Sequence, residues 1–176
     1  MPCVRHSTAP SAAAYGCGRL TANNVQPLWY VDADTLGLAH VLVRARPDVT
    51  FPGDDGDRHK KSWRMPRCVI SDPATHDDEW IPAVTQAGLA IISRDKHIAS
   101  RTAEKEAVLK AGARMFAIVS PGNLRTWELL SIVVARWGQM ERLAEESGPY
   151  IYAVTSTGMH KINLGSSPPG RRGRTR

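Results

Sequence analysis

Short apolar runs without alternation constrain the fold of this chain more than any other feature. "LWYVD" (28–32), "LAIISRD" (89–95) and "RMFAIVS" (114–120) stay apolar for four or five residues and then end in a polar or acidic one. A strand with one wet face alternates, whereas a strand covered on both faces does not. Helical segments lie between these runs. "TLGLAHVLVRAR" (35–46) spaces Leu36, Ala39 and Val43 for a helix and is stopped by Pro47. "DDEWIPAVTQAG" (77–88) reads as a helix with Asp at its start, Pro82 in its first turn and Gly88 at its end. "TAEKEAVLKAG" (102–112) and "NLRTWELLSIVVARWGQMERLAEESG" (123–148) predict two more. "DVTF" (48–51) predicts a second strand, "RCVIS" (67–71) a minor one, and "YIYAVTS" with "MHKINL" a hairpin around Thr157-Gly158. Strands alternating with helices specify an α/β domain, a three-layer sandwich on a mainly parallel sheet with a C-terminal β-hairpin.

The chain has 176 residues and 42% hydrophobic content, enough for one domain with a core. The expected organisation is a flexible extension over 1–27, a domain over 28–164 and a basic tail over 165–176. No apolar run approaches the ~20 residues of a membrane span, and the N-terminus lacks the apolar segment of a leader, so a cytoplasmic location with no membrane association is expected. Three widely spaced cysteines without a C-x-x-C suggest neither a disulfide framework nor a zinc site. The net charge is +6, but four arginines (171, 172, 174 and 176) sit in the tail, which leaves the rest near +2. Such a tail brushes phosphate non-specifically or is simply solvated, so charge alone selects no function.

In a parallel sheet the site lies beyond the carboxyl ends of the strands. There the sequence gathers Asp32 and Asp34 after the first strand, Asp54 and Asp55 after the second, Arg94 and Asp95 after the third, and Ser120 after the fourth. The helix starting at Asp77 adds Asp77, Asp78 and Glu79. Capping competes with function at Asp32, Asp34, Asp77 and Asp78. Asp54, Asp55 and Asp57 are simplest as turn residues. Trp80 is expected to pack, and Trp127 and Trp137 to serve the core or a subunit contact. Trp63, amid "RHKKSWR", is either an exposed loop residue or a nucleic-acid contact.

Two chemistries use carboxylates placed this way. "VDADT" (31–35) resembles the opening motif of haloacid-dehalogenase-type phosphatases, where the first Asp is the nucleophile. That family needs a strand-end Ser or Thr, then Lys, then an acidic pair. Here the acidic run directly follows the second strand, and beyond Ser120 the only acids are Glu128, Glu141, Glu145 and Glu146 on one helix. Metal-dependent phosphodiester cleavage asks instead for three or four carboxylates from separate elements around Mg²⁺ or Mn²⁺. Asp32, Asp77 and Asp95 satisfy that requirement, with Asp34, Asp78 and Glu79 as further oxygens. Arg94, Lys96 and Arg101 are placed to hold phosphate.

The stretches "YVDADTLGLAHVLVRARPDV", "DDEWIPAVTQAGLAIISRDKHI" and "AEKEAVLKAGARMFAIVSPGNLRTWELL" resemble, in order, the PIN-like domain proteins related to VapC-type toxin ribonucleases. The resemblance spans roughly 28–164 and implies a parallel α/β sheet with Mg²⁺-dependent RNA cleavage. By position it assigns Asp32, Asp77 and Asp95 as catalytic metal ligands. It further implies an RNA substrate, a cognate antitoxin protein and a possible homodimer. Better-studied relatives carry a Glu inside a helix as second acid, a role that here falls to Asp77, Asp78 or Glu79. An inert PIN-like fold that binds nucleic acid or a protein partner is the alternative.

Overall fold

The computed structural model describes residues 28–56, 67–94, 102–120 and 122–165. The extension before Leu28, the tail after Gly165, Trp63 and the segment around Asp95 therefore lie outside the described residues.

Six strands form one sheet in the order β2-β1-β3-β4-β5-β6. They are β1 (Trp29–Val31), β2 (Val49–Thr50), β3 (Ala90–Ser93), β4 (Arg114–Ile118), β5 (Tyr150–Val154) and β6 (Met159–Lys161). The first five are parallel, and β6 returns antiparallel to β5 as the expected hairpin. Four helices connect them: α1 (Leu36–Ala45), α2 (Asp77–Gln86), α3 (Thr102–Ala111) and α4 (Thr126–Ala144). A single 3₁₀ turn, Ala33–Thr35, joins β1 to α1.

The continuous apolar runs are explained by a core on each face. Successive strand residues point to opposite sides of a sheet. Trp29, Val31, Ala90, Ile92, Phe116 and Ile118 pack with residues of α1 and α4. Tyr30, Ile91, Met115, Ala117, Ile151 and Ala153 pack with residues of α2 and α3. Trp29 anchors the first face, with its ring 5.5 Å from Phe116 and 5.1 Å from Trp137. Tyr30 anchors the second, stacked on Trp80 at 5.1 Å. No described helix is long and apolar enough to cross a membrane.

Several local expectations change. Residues 67–71 form no strand; Cys68 N–H donates to Asp54 O at 2.8 Å and Gly53 N–H to Ile70 O at 2.8 Å, which places Cys68 and Ile70 in the second core. Two isolated bonds fasten this return segment without building a ladder. Pro82 is the sixth residue of α2 rather than part of its first turn, so it removes a helix hydrogen bond. Trp127 is 76% exposed and contributes nothing to the core, unlike Trp137. The helix at 126 presents Leu129, Ile132 and Val133 to the sheet, and Trp127 falls on the opposite side.

Candidate functional site

Asp32 is delivered to the carboxyl edge by the pairing of β1 with β3. Its backbone N–H donates to Ile92 O at 2.9 Å, which sets it beside the end of β3. There the Ser93 hydroxyl donates to one Asp32 oxygen at 3.0 Å, and the Ala33 N–H donates to the other at 2.6 Å. Asp32 thus caps the 3₁₀ turn and still faces the neighbouring strand. Capping uses one Asp32 oxygen, and Ser93 meets the other.

Burial pushes the Asp32 carboxyl above the ordinary carboxylate range, and the negative charge of Asp77 adds to the rise. Hydrogen bonds from Ser93 and Ala33, and one shared with Asp34, act in the opposite direction. The Tyr30 phenol is also raised, first by burial and then by the charges of Asp32, Cys68 and Asp77. Asp32, Asp34 and Asp77 therefore occupy one electrostatic neighbourhood above the second core.

Asp77 reaches that neighbourhood as a partner of Trp80. The helix N-cap is His76, which makes no side-chain capping bond, and Asp77 is the first helical residue. Its carboxylate accepts the indole N–H of Trp80 at 2.8 Å, one helical turn on. Because Trp80 is stacked on Tyr30, Asp77 is held relative to β1. Asp77, Asp78 and Glu79 are all exposed, and nothing in the described geometry couples Asp78 or Glu79 to Asp32. Asp34 is exposed in the 3₁₀ turn; the N-cap of α1 is Thr35, whose hydroxyl donates to Asp32 O at 3.0 Å.

Arg94 follows Ser93 directly, and its Nη2 is buried without a hydrogen-bond partner among the described residues. A buried guanidinium nitrogen in that condition calls for an acceptor. Asp95, Lys96 and Arg101 lie outside the described residues. After β2, Asp54 forms a turn, accepting from Gly56 N–H at 3.1 Å, and is also buried and bonded to Thr50 at 3.1 Å.

Sequence reasoning overlooked Ser93 and Trp80 as supports of the acids. The signals were present: Ser93 ends a parallel strand, and Trp80 stands three residues after Asp77 on a helix. Among the described residues no group of three His, Cys, Asp or Glu side chains is gathered closely enough to hold a metal ion. The chemistry of the pair that is described nevertheless fits a hard cation. Asp32 and Asp77 offer only carboxylate oxygens, and the charge of Asp77 adds to the cost that burial sets on charging Asp32, a cost that a divalent ion relieves.

Comparison with known proteins gives one match. Residues 59–120 match the family described as "PIN like domain". The matched stretch contains α2, β3, α3 and β4, and with them Asp77 and Ser93, but begins after Asp32. No curated protein and no solved structure is significantly similar to the chain. The three-layer parallel sheet with its C-terminal hairpin agrees with this match. Over residues 59–120, about a third of its length, the chain is thus similar to the PIN-like domain family.

Proposed function

We propose that the protein is a metal-dependent endoribonuclease acting as the toxin of a toxin–antitoxin pair, with Asp32, Asp77 and Asp95 as its catalytic acids. The observation that carries this reading is the Asp32 carboxylate at the carboxyl edge, hydrogen-bonded by Ser93 and within the field of Asp77. Burying a carboxylate that is pushed upward costs stability, and such a cost is retained where chemistry uses it.

Mg²⁺ or Mn²⁺, held by Asp32 and Asp77 with Asp95, would supply an activated water and charge neutralisation for phosphodiester hydrolysis. Asp34, Asp78 and Glu79 would add outer oxygens. Ser93 and Ala33 orient Asp32 through its two oxygens, and Trp80 orients Asp77. The orphaned Nη2 of Arg94 suits a phosphate oxygen of RNA, with Lys96 and Arg101 extending that contact along the backbone. A cognate antitoxin and a homodimer belong to the same proposal.

The test is cleavage of single-stranded RNA with Mg²⁺ or Mn²⁺ by the wild type, Asp32→Ala and Asp95→Ala. The wild type is expected to cut and both variants to fall by at least about 100-fold, more than loss of an outer-shell partner costs. Equal activity in the three proteins sinks the assignment. Absence of cleavage by all three, together with retained RNA binding, supports the inert nucleic-acid-binding reading instead.

A further inference from the structure

At the amino edge of the sheet, opposite the carboxylate site, lies a cleft of about 880 Å³. Its lining comes from the starts of β1 and β4 and from the turns that end α2, α3 and α4, including Gly88, Gly112 and Gly148. Helices that return against parallel strands all end on this side, so the negative ends of their dipoles converge there. Arg114 answers part of that charge: its guanidinium donates to Gly88 O at 2.6 Å and to Ala144 O.

The acidic side chains act in the opposite sense. Asp48, Glu141, Glu145 and Glu146 all line the cleft. Arg46 serves Asp48 and Glu141 together, at 2.7 and 2.8 Å. Glu145 caps the end of α4 and Glu146 follows it, both exposed, and neither forms an ion pair among the described residues. Acids at a helix C-terminus are destabilising, because they add to the negative end of the dipole. Four carboxylates against two guanidiniums leave the cleft with surplus negative charge, which a cationic occupant would offset.

One segment of the chain has the right charge and starts from the right place. The antiparallel register brings β6 back down the sheet, with Lys161 opposite Tyr152 and Ile162 N–H donating to Ile151 O at 2.8 Å. Leu164 and Gly165 thus leave the sheet at its amino edge. The eleven residues after Gly165 contain four arginines, at 171, 172, 174 and 176, and no acid. Extended, they reach about 36–40 Å, whereas crossing from β6 to β2 takes five strand spacings, about 24 Å. Leu28 also lines the cleft, but the sequence before it offers only Arg5 and Arg19 as Lys or Arg.

We infer that the arginine-rich segment 166–176 docks into this acidic cleft, with its guanidiniums on Glu145 and Glu146 at the C-terminal end of α4. The docking is independent of the nuclease reading. It sequesters the four arginines of this segment on the side away from the carboxylate site.

Limited trypsin digestion of the full chain tests this, with cleavage after Arg171, Arg172 and Arg174 followed by mass spectrometry. At low salt the wild type is expected to be cut about tenfold more slowly than the double variant Glu145→Gln/Glu146→Gln, with thermal melts confirming that both are folded. Raising salt to about 1 M, where the screening length is about 3 Å, should bring the wild type to the variant's rate. Equal rates at low salt overturn the inference. Protection that grows with protein concentration also overturns it, by assigning the cleft to the tail of a second copy.

Discussion

Asp32→Asn is expected to melt above the wild type at neutral pH while losing cleavage by at least about 100-fold. The two effects share one cause. Burial and the charge of Asp77 raise the Asp32 carboxyl in the folded chain above its unfolded value. The stability tied to this group is full below the ordinary carboxylate range, about 3.9. It is lost as pH rises through the folded value, because the folded state disfavours the charge. At neutral pH the wild type has already given up that stability. Asn keeps both hydrogen bonds, its carbonyl accepting from Ala33 and its amide donating to Ser93, without the charge. The gain should be about 0.5–2 kcal/mol, the usual return for neutralising a strained functional group, or several degrees in Tm for a chain of this size. Thermal melts from pH 3.5 to 8 should show the gap between the two proteins closing toward the acid end. A gap that is constant with pH, or a less stable variant at pH 7, contradicts the account of Asp32.

Gly148→Ala is expected to be strongly destabilising. A Cβ there would stand 2.3 Å from Gly112 O and 2.9 Å from Ala113 O. Both obstacles are backbone oxygens, so no rotamer change relieves them, and the turn before β5 must move away from the turn before β4. Overpacking of this severity costs about 3 kcal/mol or more, equivalent to a fall of roughly 6–12 °C in Tm. Gly112→Ala is the control. Nothing lies within 4 Å of its Cβ, but its φ of +72° is strained for alanine, so the cost is conformational and nearer 1 kcal/mol. A Gly148→Ala protein that melts within a degree or two of Gly112→Ala would contradict the packing described for this edge.

The order and direction of the elements were legible in the sequence, because uninterrupted apolar runs have few uses other than a doubly covered strand. "AIIS" became β3 and "RMFAI" became β4. The place of Asp32 at the carboxyl end of β1 was legible as well, because the apolar run stops there. For Asp77, where a metal-ligand role competes with capping, only the capping alternative changes: the N-cap is His76, and the Asp77 carboxylate accepts the indole N–H of Trp80. That distinction depends on Trp80 being turned toward Tyr30, a tertiary contact invisible to helix-start rules. "RCVIS" has strand-forming residues, but its backbone meets only the turn after β2, so propensity yielded to the geometry of its return. The fate of Trp127 was hidden for a related reason. A tryptophan at the head of an amphipathic helix is core or surface according to the rotation of that helix, which the burial of Leu129 and Val133 decides.

The account rests on Asp32 and Asp77 forming part of a cation seat. Titrating Mn²⁺ into the wild type and into Asp32→Asn, with free Mn²⁺ read by electron paramagnetic resonance, tests that most directly. The account predicts saturable binding in the wild type that weakens at least about tenfold in the variant, in line with losses seen when metal-site groups are altered. Equal Mn²⁺ affinity in the two folded proteins would contradict it.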